Sequence, residues 1–393
     1  MERRDFFATG AALGVVGLAS VGHVAHAATT TPKVGPSIFD FGAVGDGVTD
    51  DSAAFSKALQ AAAALGQVVT VPGLTYAIAK PITFVSSGNV GTLWGLQCAG
   101  ATLRSKITTG EDVMSLTSNN TVRYFRLTGG LKIAGNGSDG NGLHIFAPGG
   151  AVWFYNAAID GLSVEGVGGH GLLFEGNVFE TTVMNSYFQD CKKNGATFAQ
   201  SKGGVVSAIT LIGCFFNQNA GNGMSATNFD ARYGGTTDVR VIGGYCRDNY
   251  GYGFYYNNGT GSGAIEQVGF ENNCRALSPG DQNGAHVYGL SRVNMRNCSG
   301  YNEYGGATYL VRGWFSGLTF LDGCSQGAGG AMAATGLSRL VQVDGSSDGN
   351  VLMRACGGGI AVKSGTGCTW QAENCSGPSP TGTLSIRTIV TSV

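Results

Sequence analysis

The chain has 393 residues, 67 of them glycine, only 12% charged, with a formal net charge of −1. Glycine at that level without an every-third-residue period excludes collagen. A near-neutral chain with no aromatic-plus-basic module has no field for nucleic acid, while 43% hydrophobic residues suffice for a long core.

Met1-Glu2-Arg3-Arg4-Asp5-Phe6-Phe7 precedes an apolar run from Ala8 to Val24, and Ala25-His26-Ala27 reads as a small-residue cleavage site. This pattern predicts an export signal over 1–27, and the Arg pair before Phe resembles a twin-arginine signal. The run is glycine-rich and shorter than the ~20 residues of a spanning helix. The expectation is therefore a periplasmic or extracellular bacterial protein, mature from near Ala28, with no membrane partner once the signal is removed. Residues 28–37 read as a Thr/Pro/Gly linker, and 38–393 as one elongated domain.

Ile38 to Asp51 reads as a short strand, a Gly-Asp-Gly turn and a helix N-cap, with Thr49, Asp50 or Asp51 accepting from the first helical amides. Ala53 to Leu65 is Ala-rich, with Phe55, Leu59 and Ala62 on one face, and Gly66 ends it. Val68 to Ile78 reads as two strands around Pro72-Gly73. The pattern is less regular from about Ala79 to Leu131. Gly135 to Gly140 reads as a plain turn, because no helix follows to make it a phosphate or calcium loop.

From Asn141 to Thr335 one phrase recurs: a turn, a glycine, then alternating residues. The glycines are Gly142, Gly171, Gly195, Gly223, Gly253, Gly284, Gly306 and Gly330. After each, the first and third residues are able to be buried, as in Leu143/Ile145, Leu172/Phe174 and Phe254/Tyr256, while the second and fourth face outward. One such strand cannot bury its own face, but stacked coils can, which defines a parallel β-solenoid. A propeller blade needs roughly 40 or more residues, longer than these intervals. Val341 to Val343 and Val351 to Met353 continue the strands, and no capping helix shows at the C-terminal end.

The stretch from Ile38 to Ile78 resembles the first coil of the pectate-lyase-like right-handed β-helix superfamily, which includes polysaccharide lyases, galacturonase and rhamnogalacturonase hydrolases, mannuronan C5-epimerases and phage tailspikes. The resemblance implies an all-β, single-stranded right-handed parallel β-helix, with the helix plugging its N-terminal end and a polysaccharide as partner. Asp46, Asp50 and Asp51 are then turn and cap residues. The ten cysteines invite disulfides in an exported protein. However, Cys298, Cys324 and Cys356 each follow an apolar strand residue by three, as one inward column. The twin-arginine resemblance implies folding in a reducing cytoplasm. Free, stacked thiols are expected.

Hydrolases need two carboxyls, ~5–5.5 or ~6.5–9.5 Å apart; lyases need a base and a cation that neutralises a uronate. Stacked strands ~4.8 Å apart suit both. The outward face after the key glycines carries His144, Glu175, Tyr255, Asn257, His286 and Tyr288. In the C5-epimerases the catalytic residues hold the second and fourth places after glycine, which fall here on His144, Phe146, Leu173 and Glu175. Their Asp-Pro-His motif is absent, so epimerisation is not expected. A loop adds Asp230, Arg232 and Tyr233, and Lys202 follows a neighbouring strand.

The leading reading is β-elimination, with Arg232 or Lys202 on the uronate, His144 or Tyr233 as base, and Glu175 orienting its partner. Tyr255, Asn257, His286 and Tyr288 would bind sugar. A hydrolase would instead pair Glu175 with Asp230, or use Asp248 and Glu271 on the turn face, which also carries Asp190 and Arg247. Asn and Asp in repeated turns, though, normally bond the backbone. Gly169-His170-Gly171 matches a fragment of the galacturonase hydrolases but lacks their upstream Asp pair. No cofactor is expected, with calcium left open as an ion that such chemistry could use. The competing reading is a non-catalytic glycan-binding or tailspike-like structural protein, in which Phe146, Leu173, Leu310 and Met332 form a subunit contact, as in a homotrimer.

Overall fold

The computed structural model describes residues 35–199, 204–227, 237–257, 262–276, 285–289, 292–302, 307–312, 318–328, 339–344, 350–356, 359–364 and 369–373. Within them each strand pairs in parallel with the strands one coil earlier and one coil later. Three sheets result, two of eleven strands and one of fourteen, wound as a right-handed solenoid. Leu162–Glu165, Leu172–Gly176 and Val178–Met184 are the three sides of one coil. The sheet containing Leu172–Gly176, the groove sheet, is the one whose outward places include His144 and Glu175.

Register makes the core. Leu143, Leu172, Ala196, Met224 and Phe254 are aligned on successive groove strands, and all are buried. Each large apolar side chain buried in this way contributes roughly 1.5–3 kcal/mol. Phe188 stacks on Phe216 with centroids 5.5 Å apart. Trp94 wedges between Phe84 and Phe125 at 4.4 and 4.9 Å, its indole N–H donating to the Arg123 carbonyl at 2.9 Å.

Helix α1 spans Ser52–Leu65 and buries Phe55, Ala58, Leu59 and Ala62; Gly66 stops it at φ 62. It covers the open edge of the first groove strand, Ile82–Val85. Ser56 Oγ accepts the Thr83 N–H at 3.0 Å, Ser52 Oγ accepts the Lys80 N–H at 3.1 Å, and Gln60 Nε2 donates to the Val85 carbonyl at 3.3 Å. An edge that would otherwise template pairing is thereby satisfied by side chains. The three acids of the preceding turn bond backbone, as expected of turn residues. Asp46 accepts from Val48 and Thr49, Asp50 from Ser52 and Ala79, and Asp51 from Val44 and Gly45. The N-cap residue Asp51 makes no capping bond itself.

The eight described cysteines are free and buried, including Cys298, Cys324 and Cys356; Cys368 and Cys375 lie outside the described residues. The 135–140 stretch is a turn in which Asn136 Oδ1 accepts the Ser138 and Asp139 N–H groups, while Asp139 accepts from Gly168 on the next coil. Among the described residues no helix is long and apolar enough to cross a membrane.

Candidate functional site

A column of side chains runs along one margin of the groove sheet. Each accepts the backbone N–H of the matching residue one coil later. Asp112 Oδ1 takes Asn141 at 2.7 Å, Asn141 Oδ1 takes His170 at 2.8 Å, and His170 Nδ1 takes Asn194 at 3.2 Å. Asn194 and Asn222 continue it to Tyr252, both at 2.8 Å. Accepting an amide proton makes Nδ1 the bare nitrogen of His170. Burial, reinforced by the charge of Lys193, pushes the pKa of His170 down to about 4. The ring is neutral at physiological pH.

The second oxygen of Asp112 meets the outward side chain of the next coil. Oδ2 lies 2.7 Å from His144 Nδ1, and His144 Nε2 lies 3.0 Å from Glu175 Oε2. The three side chains are partly buried. His144 aligns with Leu173 in the register, so Glu175, two residues on, reaches it diagonally from beside Phe146. Burial alone would lower the His144 pKa. The hydrogen bonds and charges of Asp112 and Glu175 outweigh that and raise it to about 9. Burial would raise Asp112, but His144 and the Asn141 donors hold it below the usual carboxylate range. At neutral pH the array is an imidazolium clasped between two carboxylates. Two hydrogen-bond lengths and the width of an imidazole set those carboxylates roughly 7–8 Å apart.

The structure thus brings His144 and Glu175 together and adds Asp112, which sequence reasoning missed. Asp112 precedes the strand Met114–Thr117, which alternates like the others, but Val113 stands where the repeat has glycine. Met114 and Leu116 align with Leu143 and Ile145. His170 occupies the turn-ladder place that the repeat assigned to it.

Tyr255 and Tyr288 align on adjacent groove strands and stack 4.8 Å apart at 14°. Tyr252, not singled out in the sequence, packs on both, at 5.7 and 5.0 Å. Through Leu173, Thr197 and Ser225, this pair continues the register column of His144. Tyr255 stands four coils from His144, on the order of 19 Å. His286 is a correction: expected outward, it is 0% exposed. Phe254 pairs with Val287 rather than with Ala285, so the coil is two residues longer than the glycine spacing indicates. A slip of two preserves the alternation, leaving Tyr288 on the outward side, where packing against Tyr252 and Tyr255 leaves it only 9% exposed. It moves His286 into the slot held by glycine elsewhere, where its side chain points inward to Asn273 Nδ2 at 3.0 Å. Burial pushes its pKa down to about 3.

Asn257 ends its groove strand, paired with Thr227. Lys202, Asp230, Arg232, Tyr233 and Met332 lie outside the described residues. On the turn face, Asp190 and Asp248 hold left-handed turn conformations at φ 53 and 55. Arg247 and Glu271 pair in register beside them, with Tyr245 Oη donating to Glu271 at 2.8 Å. Among the described residues no group of three or more His, Cys, Asp and Glu is placed to hold a metal ion.

Residues 36–124 match the family described as rhamnogalacturonase A/epimerase, pectate lyase-like. Among solved structures, the A-module of the Azotobacter vinelandii mannuronan C-5 epimerase AlgE6 is similar at TM-score 0.59 and 16% identity, over 88% of this chain and 100% of that one. The AlgE4 A-module is similar at 0.57 and 16%, over 88% and 99%. Tailspike protein 2 of the Escherichia coli O157:H7 bacteriophage CAB120 is similar at 0.54 and 14%, over 86% of this chain and 42% of that one. No curated protein matches the chain. Residues 36–124 therefore carry the pectate-lyase-like family pattern, and the chain has the right-handed parallel β-helix fold that these structures share.

Proposed function

We propose that the chain is an exported enzyme acting on a uronate-containing polysaccharide laid along the groove sheet, and that it cleaves by β-elimination at Asp112, His144 and Glu175. The observation that carries this reading is the 3.0 Å contact between a protonated imidazole and a carboxylate. It places an acid and a base side by side on one face of the substrate. Glu175 takes the proton α to the uronate carboxylate, the bond from the β-carbon to the glycosidic oxygen breaks, and the carbon–carbon double bond forms. His144 gives its Nε2 proton to the leaving oxygen. Glu175 then returns its proton to His144 across their contact, restoring both. Asp112 positions the ring and keeps it charged. His144 is thereby the donor, and the base role considered for it in the sequence passes to Glu175. Lys193, exposed and near enough to His170 for its charge to act there, is in this reading the cation for the uronate.

Hydrolysis with inversion is the second reading. The separation of the two carboxylates falls within the ~6.5–9.5 Å of inverting glycosidases. Against it, Asp112 is held ionised, where an inverting acid needs a raised pKa.

Incubation with acidic and neutral polysaccharides separates these readings. Elimination yields the ultraviolet absorbance of an unsaturated uronate, and Glu175→Gln reduces its rate by about 10²–10⁴-fold. Reducing ends without that absorbance select hydrolysis. A trimer by light scattering, with neither signal and no glycan affinity, selects the tailspike-like structural reading.

A further inference from the structure

The fourteen-stranded sheet is widened over three coils. Two short strands, Val122–Arg123 and Phe154–Tyr155, pair alongside the start of Val178–Met184. Tyr124, Asn156 and Glu180 then bend the chain at φ 58, 57 and 48. The outer surface there is a hollow lined by Thr121, Arg123, Trp153, Tyr155, Phe179 and Glu180. Arg123, Tyr155 and Phe179 stand in register across the three coils. The Arg123 guanidinium lies 4.4 Å from the Tyr155 ring centroid, and the Trp153 and Phe179 rings are 5.0 Å apart.

Trp153 does not serve the core. Its neighbour Phe154 fills the interior, while Trp153 is 38% exposed. Its segment is nonetheless held in place. Asn177, buried at the corner, donates to the carbonyls of Gly150 and Val152 at 3.1 and 2.9 Å and accepts the Val205 N–H at 3.0 Å. The aromatic surface is preformed, which removes an ordering cost from binding.

We propose that this hollow is a second glycan-binding site, taking one carboxylate-bearing sugar residue of a polysaccharide. The Trp153, Tyr155 and Phe179 rings offer apolar faces to the C–H face of a pyranose. Arg123, over the Tyr155 ring, offers its N–H groups in the bidentate geometry that a carboxylate presents. Glu180 stands two coils away, on the order of 10 Å. It accepts from hydroxyls and repels a second acid, so the sugar's carboxylate goes to the Arg123 end. The hollow is four residues past Glu175 on the same coil, around the Gly176-Asn177 corner. A polymer held there stays beside the groove without competing for it, and the site stands whether or not the groove is catalytic.

The test titrates the full-length protein with tetramers of galacturonate, of mannuronate and of neutral glucose, followed by tryptophan fluorescence and calorimetry. The expected result is that an acidic tetramer shifts the fluorescence and binds more tightly than the neutral one. Arg123→Ala should weaken that binding by about tenfold or more. Trp153→Ala should abolish the fluorescence shift, while Trp153→Phe keeps calorimetric binding, which shows that the segment still folds. The groove variant Glu175→Gln should leave the shift intact. Equal binding of the neutral tetramer, no binding of either acidic one, or a shift that survives Trp153→Ala but vanishes in Glu175→Gln would overturn the proposal.

Discussion

The Asp112 carboxylate reaches His144 from 32 residues earlier in the chain, Oδ2 to Nδ1 at 2.7 Å, while its other oxygen holds the backbone of Asn141. One side chain therefore serves the coil and the site at once, and Asp112→Asn separates the two duties. The asparagine Oδ1 still accepts the Asn141 N–H, so the coil should remain folded. The lost charge should drop the His144 pKa from about 9 by roughly 1–2 units. Titration of the His144 ring by NMR reads this directly. An unmoved His144 would show that Glu175 alone sets its charge.

Stability should fall on both sides of neutrality. His144 has its folded pKa raised to about 9. Its contribution, roughly 2–3 kcal/mol, is full below the unfolded value near 6.5 and is lost as pH rises through about 9. His170 and His286 are depressed to about 4 and about 3. Between those values and about 6.5 only the unfolded chain binds their protons, so stability falls as pH drops through that window. Urea midpoints at pH 4.5, 6.5 and 9.5 should peak in the middle. His144→Gln should flatten the alkaline limb and His286→Asn the acid one. An acid limb unchanged in His286→Asn would contradict its buried, neutral state.

The coil was legible in the sequence because a period-two pattern between glycines survives loops of any length. The strands from Leu143 to Asn257 keep its register residue by residue, although Thr197, Ala199 and Ser225, in outward places, are buried. Two of the three residues of the candidate site were legible for the same reason, since His144 and Glu175 hold outward places in the repeat. Asp112 escaped because Val113 replaces the glycine that marked each coil, although alternation alone would have aligned it. His286 was misplaced because glycine spacing is a proxy for register, and a coil longer by two residues breaks the proxy while keeping the alternation. The Trp153 hollow has no signature in the repeat: it arises where short strands widen one sheet, and only the left-handed bends of the backbone disclose it.

Inside the coils, Asn219, Asn249 and Asn273 form a buried ladder. Asn249 Oδ1 accepts from Asn219 N at 3.0 Å and Nδ2 at 2.9 Å, and Asn249 Nδ2 donates to the Phe216 carbonyl at 3.0 Å. Asn249→Ala strands these groups without water. The expected destabilisation is about 2–4 kcal/mol, visible as a lower urea midpoint at unchanged m-value. A loss below about 0.5 kcal/mol, the size of an ordinary surface change, would mean that the ladder groups find other partners.

Gly176 closes the strand that carries Glu175, at φ 83, where an added Cβ would lie 1.9 Å from the Ala147 carbonyl oxygen. Gly129, away from the groove sheet, is equally constrained, at φ 84 with its Cβ position 1.8 Å from the Cys98 carbonyl oxygen. Alanine at either position forces a backbone shift and should destabilise by roughly 2–3 kcal/mol. Their effects on the site should differ. At Gly176 the shift opens the pairing of Ala147 with Gly176, draws Glu175 away from His144 and lowers the His144 pKa. At Gly129 stability falls while His144 titrates as in the wild type. Measured together, the two variants separate strain in the coil from geometry at the site. Equal His144 pKa values in both would show that Glu175 follows the strand end too loosely to act as the base.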